Sequence, residues 1–171
     1  MKKFFLIMTV LFFGATLYAQ NGADATTLVK IGQQVPSFEV EMINGSKIKI
    51  DDLKGKVVLI NFWATWCGPC RAEMKNIPKD IVEKFANKDF VLLAISRDET
   101  RKVVEQFRKT TGYDFPMGLD PGRKIYSLFA TELIPRNFLV SKEGKIILCE
   151  QGFSEEKFAE LIAAIETALT K

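Results

Sequence analysis

Two cysteines three residues apart, Cys67 and Cys70, have the types and spacing to do chemistry. On the first turn of a helix, an i,i+3 pair brings its sulfurs together. A disulfide between them can open and close with little backbone motion. The free N–H groups and partial positive charge of a helix N-terminus favour a thiolate on the first cysteine. That thiolate is the attacking species in disulfide exchange. Cys67 is therefore expected as the exposed nucleophile, and Cys70 as the more buried thiol that resolves the mixed disulfide. Pro69 suits an early helix position, where its missing N–H has no intrahelical partner to lose. Two other readings stay open on the residues alone. One is half of a zinc site, although zinc needs about four ligands and the chain has no histidine and only Cys149 besides this pair. The other is an inert structural disulfide, although so small a loop removes little chain entropy.

The whole chain narrows the chemistry. Its 171 residues favour one domain with a real core. Zero histidine excludes a Ser-His-Asp or Cys-His nucleophile, a histidine-bearing zinc site and a histidine-ligated haem. No metal site and no cofactor beyond the cysteine couple are expected. Three cysteines are too few for a disulfide-built miniprotein. With 24 Lys+Arg against 21 Asp+Glu there is no basic block to bind nucleic acid.

Lys2 and Lys3 precede an apolar run from Phe4 to Phe13, and Leu17-Tyr18-Ala19-Gln20 holds a cleavage point after Ala19. This pattern predicts a secretory signal peptide over residues 1–19. The apolar stretch of roughly 16 residues is shorter than the about 20 that span a bilayer. A retained N-terminal anchor is the alternative, since Leu17 is larger than the ideal small residue. Export would place the protein outside the cytoplasm, in a periplasm or similar space where disulfides persist. Residues 20–32 are weakly patterned and read as a flexible leader, with the domain over 33–171.

The elements that position the cysteines follow from periodicity. Phe38–Met42 and Lys47–Ile50 alternate around Asn44-Gly45, a hairpin signature. Val57–Phe62 is a continuous apolar run, suited to a strand buried on both faces. It leads into the cysteine pair and a helical pattern to about Ala86. Val91–Ser96 is a second buried strand. Asp98 is expected to cap a helix over Glu99–Thr111. Phe115–Leu119 is a short strand, and Lys124–Phe129 a short helix. Strands at Asn137–Val140 and Lys145–Glu150 flank a turn, and Ser154 caps a final helix. Alternating strands and helices make an α/β fold around a mixed central sheet flanked by helices, with an N-terminal β-hairpin extension.

Phe62-Trp63-Ala64-Thr65-Trp66-Cys67-Gly68-Pro69-Cys70 resembles the thioredoxin-family active site, with WCGPC intact. Gly55–Trp63 and Arg71-Ala72-Glu73-Met74 resemble the extracytoplasmic TlpA/ResA-like branch, and the likeness runs from Ile31 to Leu169. It implies a thioredoxin fold and a thiol–disulfide oxidoreductase. It further implies that Ile134-Pro135 is the family's cis-proline, which faces the cysteines and offers the Ile134 backbone to a substrate peptide. Trp66, Gly68, Pro69, Ile134 and Pro135 would form the substrate surface, with Trp63 in the core. Asn61 stands where ordinary thioredoxins carry a buried aspartate, and it cannot take a proton. Glu73, which matches a glutamate common in the branch, is expected to exchange a proton with Cys70. The branch's helix proline is replaced by Lys75, with Pro78 three residues later, so the kink is expected to shift or vanish. Arg136 is expected near the docking groove, either biasing partner choice or solvated. Cys149 is expected as a buried small hydrophobe on the same face as Ile147.

The resemblance implies a reductase of exported protein disulfides, apocytochrome c among them. A membrane electron donor would re-reduce it, and a monomer is expected. One alternative is a peroxiredoxin-type peroxidase, which should carry Thr three residues before its cysteine, whereas Thr65 is two before Cys67. Another is a redox-inert binding module on the same fold.

Overall fold

A computed structural model describes residues 25–171. The expected signal peptide and the first residues of the expected leader lie outside them. The alternating segments form the predicted hairpin, β1 (Glu39–Met42) and β2 (Lys47–Lys49), with Gly45 at φ 87° in the turn. The apolar run forms β3 (Val57–Trp63), buried at every residue. β4 (Phe90–Arg97) and β5 (Met117–Asp120) follow, then β6 (Arg136–Val140) and β7 (Ile146–Gln151). All seven strands join one sheet in the order β2-β1-β5-β4-β3-β6-β7. β3, β4 and β5 run parallel, and the other pairings are antiparallel. The most apolar strand thus holds the interior of the sheet, where both faces are covered.

Three α-helices cover one face: α1 (Gly68–Met74), α2 (Arg101–Thr111) and α3 (Glu155–Thr170). Their core includes Trp63, Met74, Val104, Leu161 and Ile165. The other face is closed by an aromatic cluster. Phe62 meets Tyr126 at 5.2 Å and Phe129 at 5.4 Å between ring centroids. That layer comes from irregular chain and short 3₁₀ turns, including Tyr126–Leu128.

Several expectations are corrected. The helix predicted to run to Ala86 is interrupted. Pro78 has no N–H to offer the Met74 carbonyl. Lys75 and Asn76 donate to Ala72 O (3.3 Å) and Glu73 O (3.0 Å), and a π-helical stretch resumes at Pro78–Glu83. The helix breaks although position 75 carries Lys rather than proline. Asp98 does not cap α2. It sits at φ 63°, its N–H donating to Asp120 O (2.9 Å), and Thr100 takes the N-cap position. The predicted helix at 124–129 is reduced to the single 3₁₀ turn. The buried Asp120 carboxylate accepts from the N–H groups of Ile125 (3.2 Å) and Tyr126 (2.8 Å) there.

The expected flexible leader is, over residues 25–32, fastened to the domain. Leu28 N–H donates to Phe129 O (2.8 Å), Gly32 N–H to Ile146 O (2.8 Å), and Val29 is 1% exposed within the core. Arg136 is neither solvated nor on a groove. It is 1% exposed, donating to the hydroxyls of Thr26 and Thr27 and to Glu132 O (3.1 Å). Cys149 is on the opposite face from the one expected. The β6–β7 register slips, pairing Val140 with Ile146 but Leu139 with Leu148. The residue skipped is Ile147, so alternation restarts and Cys149 joins Ile146 and Phe138. It is a half-buried free thiol, pushed by burial up to about 11, with Arg136 opposing.

Candidate active site

The chain leaves the buried end of β3 at Trp63, turns through Ala64 to Trp66 and enters α1. Cys67 is the N-cap of that helix, and Gly68 and Pro69 form its first turn. Cys67 and Cys70 are joined as a disulfide, with Cα atoms 5.3 Å apart. The Cys70 backbone N–H donates to Cys67 Sγ at 3.2 Å, so a free helix N–H points at the first sulfur. Cys67 is 5% exposed and Cys70 0%. The order of burial is as expected, but the Cys67 sulfur, expected to be exposed, shows only a sliver to solvent. Trp66, Gly68 and Pro69 around it are exposed.

A second loop meets the first. The Ile134–Pro135 peptide bond is cis, and the Ile134 carbonyl oxygen lies 3.7 Å from Cys67 Sγ. Pro135 is buried and Ile134 half-buried. Trp66, 64% exposed, has the Arg97 guanidinium 5.6 Å from its ring. Arg97 also lies 5.0 Å from the Tyr126 ring, and Tyr126 donates its hydroxyl to Leu133 O (2.5 Å). The loops on either side of the disulfide are thus connected through Arg97 and Tyr126. Trp63 is fully buried against Phe107, as expected of a core residue.

Beneath the cysteines is a polar layer. Glu73 on α1 is 2% exposed. Its carboxylate accepts from Asn61 Nδ2 (2.9 Å) and Asn137 Nδ2 (2.5 Å), and Asn61 also donates to Asn137 Oδ1 (2.8 Å). Burial raises the Glu73 carboxyl to about 7, and the two amides hold it from rising further. Glu73 can therefore hold or release a proton near neutral pH, while both amide partners keep their charge state.

Two participants escape a reading of the sequence. Asn137 is an ordinary strand residue until the β3–β6 register sets it opposite Asn61. Glu99 looks like a helix-start residue, yet it turns inward and is 7% exposed. It accepts from Thr65 N–H (2.9 Å), Thr65 Oγ1 (2.5 Å) and Ser96 Oγ (2.6 Å), fixing the loop before Trp66. The left-handed turn at Asp98 is what aims it there, and no spacing rule announces such a turn. Thr65 is committed to Glu99, which removes it as a hydroxyl donor at Cys67.

Residues 31–148 match the AhpC/TSA family. The chain belongs to that family. Within it, the chain is 37% identical to the thiol-disulfide oxidoreductase ResA of Bacillus anthracis, over 86% of this chain and 83% of that protein. The Bacillus subtilis ResA is 31% identical over 88% and 83%. Among solved structures, a candidate protein disulfide isomerase from Bacteroides thetaiotaomicron superposes with TM-score 0.81 at 40% identity, covering 85% of this chain and 94% of that one. A candidate thiol:disulfide interchange protein DsbE from Chlorobium tepidum gives 0.73 at 28%, covering 82% and 99%. The fold is that of thioredoxin, and the enzyme is a thiol–disulfide oxidoreductase with Cys67 and Cys70 as its redox pair.

Proposed function

We propose that this protein is an extracytoplasmic protein-disulfide reductase. The observation that carries the reading is the asymmetry of the pair. Cys67 sits at a helix N-terminus with a backbone N–H on its sulfur, whereas Cys70 is fully enclosed above a carboxyl that titrates near 7. In the reduced enzyme, the Cys67 thiolate attacks one sulfur of a substrate disulfide. The other substrate sulfur leaves as a thiolate, and a Cys67 mixed disulfide remains. Cys70 then loses its proton to the Glu73 carboxylate and attacks Cys67 Sγ. The Cys67–Cys70 disulfide forms and the substrate leaves with its second thiolate. Two electrons pass from the enzyme to the substrate. The Ile134 carbonyl accepts a hydrogen bond from the extended substrate segment, and Trp66, Gly68 and Pro69 supply the rim. No cofactor beyond the disulfide takes part, and a membrane electron donor restores the dithiol.

Likeness to the ResA proteins supports the reductive direction, and the expected signal peptide supports the compartment. Apocytochrome c is one substrate that this likeness suggests. Replacing Cys70 with Ala removes the resolving thiol, so Cys67 should accumulate partners as mixed disulfides in cells, reversible by dithiothreitol and absent from the Cys67→Ala chain. A measured reduction potential near that of a strong oxidant, about −120 mV, would reverse the direction. Turnover of hydrogen peroxide without any disulfide substrate would replace the reading with a peroxidase.

A further inference from the structure

Glu150, on β7, is a buried acid that the reaction outlined above does not use. It is 7% exposed, on the largely apolar sheet face that packs under α1 and α3. The strand register places it opposite Asn137, and Asn137 opposite Asn61. Residues directly opposite across a sheet project on the same side and approach within about 5 Å at Cβ. Asn61, Asn137 and Glu150 therefore form one polar row across three strands, and Glu73 is hydrogen-bonded to its first two members.

Among the described residues, three charged groups act on Glu150: Glu73 from α1, and Lys157 and Glu160 from α3. The Lys157 ammonium donates to Gln151 O at 2.7 Å rather than closing an ion pair on Glu150. Burial raises the Glu150 carboxyl to about 7, with Glu160 and Glu73 adding to the rise and Lys157 opposing it. Glu73 acts on Glu150 from across this row, as the smallest of the influences on it, and such an interaction is mutual. Each ionisation raises the cost of the other, and their protons leave in steps that belong to the pair.

We propose that Glu150 is a positioning residue for proton transfer at Glu73: across Asn137 the two carboxyls form a coupled pair that shares one proton. This rests on the reading of Glu73 as proton partner of Cys70. When Glu73 takes the Cys70 proton, the ionised Glu150 favours its capture. When Glu150 holds the pair's proton, Glu73 is the free base. Lys157 stabilises the Glu150 anion, so Glu150 is the member left ionised once Glu73 has taken the Cys70 proton.

The decisive measurement is the carboxyl carbon NMR titration of Glu73 in the full oxidised chain. The wild type should show a two-step curve. Glu150→Gln should give a single step, moved to lower pH by about one unit. Glu73→Gln must move the Glu150 midpoint down by the same amount, because the interaction is mutual. Lys157→Gln lies on the exposed helix surface and leaves the core intact. It should shift the shared proton toward Glu150 and lower the first Glu73 midpoint. Glu73 curves that superimpose in the wild type, Glu150→Gln and Lys157→Gln overturn the coupling. The pH profile of disulfide reduction separates the two ideas. A profile unaltered by Glu73→Gln refutes the proton-partner role whatever the titrations show. A profile moved by Glu73→Gln but not by Glu150→Gln refutes the positioning role alone.

Discussion

Ionising Glu73 places a negative charge under α1, where the Asn61 and Asn137 amides answer it. Its folded-state carboxyl titrates at about 7 against 4.5 for the free side chain. Between those values the native protein keeps a proton that the unfolded chain has lost. The stability this provides is full below about 4.5 and disappears as pH rises through about 7. The difference corresponds to about 3 kcal/mol, an order-of-magnitude figure. Urea unfolding of the wild type should therefore weaken across that window, and Glu73→Gln should remove that part of the slope. The same substitution should flatten the limb of the pH–rate profile of disulfide reduction centred near 7. A profile identical to the wild type would leave water as the proton acceptor for Cys70. At this scale the sequence was informative where chemistry is local. The Cys67–Cys70 spacing and the position of Glu73 three residues on could be read directly. The acid's partners could not, because Asn137 is 64 residues away and reaches Glu73 only through strand pairing.

At the scale of elements, legibility followed the regularity of each pattern. β3 announced itself as an apolar run and lies at the heart of the sheet, and the Asn44-Gly45 turn delivered its hairpin. Errors gathered where a side chain or a missing N–H competes with the regular backbone. Pro78 split a helix, Asp120 shortened another to a turn, and a bulge at Ile147 reversed the face of Cys149. The hairpin's attachment depends on a close approach that periodicity does not register. A Cβ on Gly118 of β5 would stand 2.6 Å from Val40 Cγ2 of β1. Gly118→Ala should destabilise the protein by about 1–3 kcal/mol through overpacking. Val40→Ala in the same chain should return part of the loss, and a double-mutant cycle in urea measures it. Strict additivity of the two would show that the strands do not meet there.

The molecule as a whole begins earlier than its sequence pattern suggests. Val29 packs in the core, and Thr26 and Thr27 accept hydrogen bonds from the buried Arg136 guanidinium beside the cis-proline loop. A chain starting at Gln33 should be less stable than one starting at Ala25 by about 3 kcal/mol, combining one buried valine with polar groups left unpaired. Thermal melts of the two truncations test this, and equal midpoints would restore the leader to a mere tether. Three cysteine sulfurs share this small body, and two of them are meant to exchange. With its thiol held near 11, Cys149 is ionised in roughly one molecule in ten thousand at neutral pH, against a few per cent for a free cysteine. The sheet stands between this thiol and the exchange-competent pair, so position and protonation both set the bystander apart from mixed-disulfide chemistry.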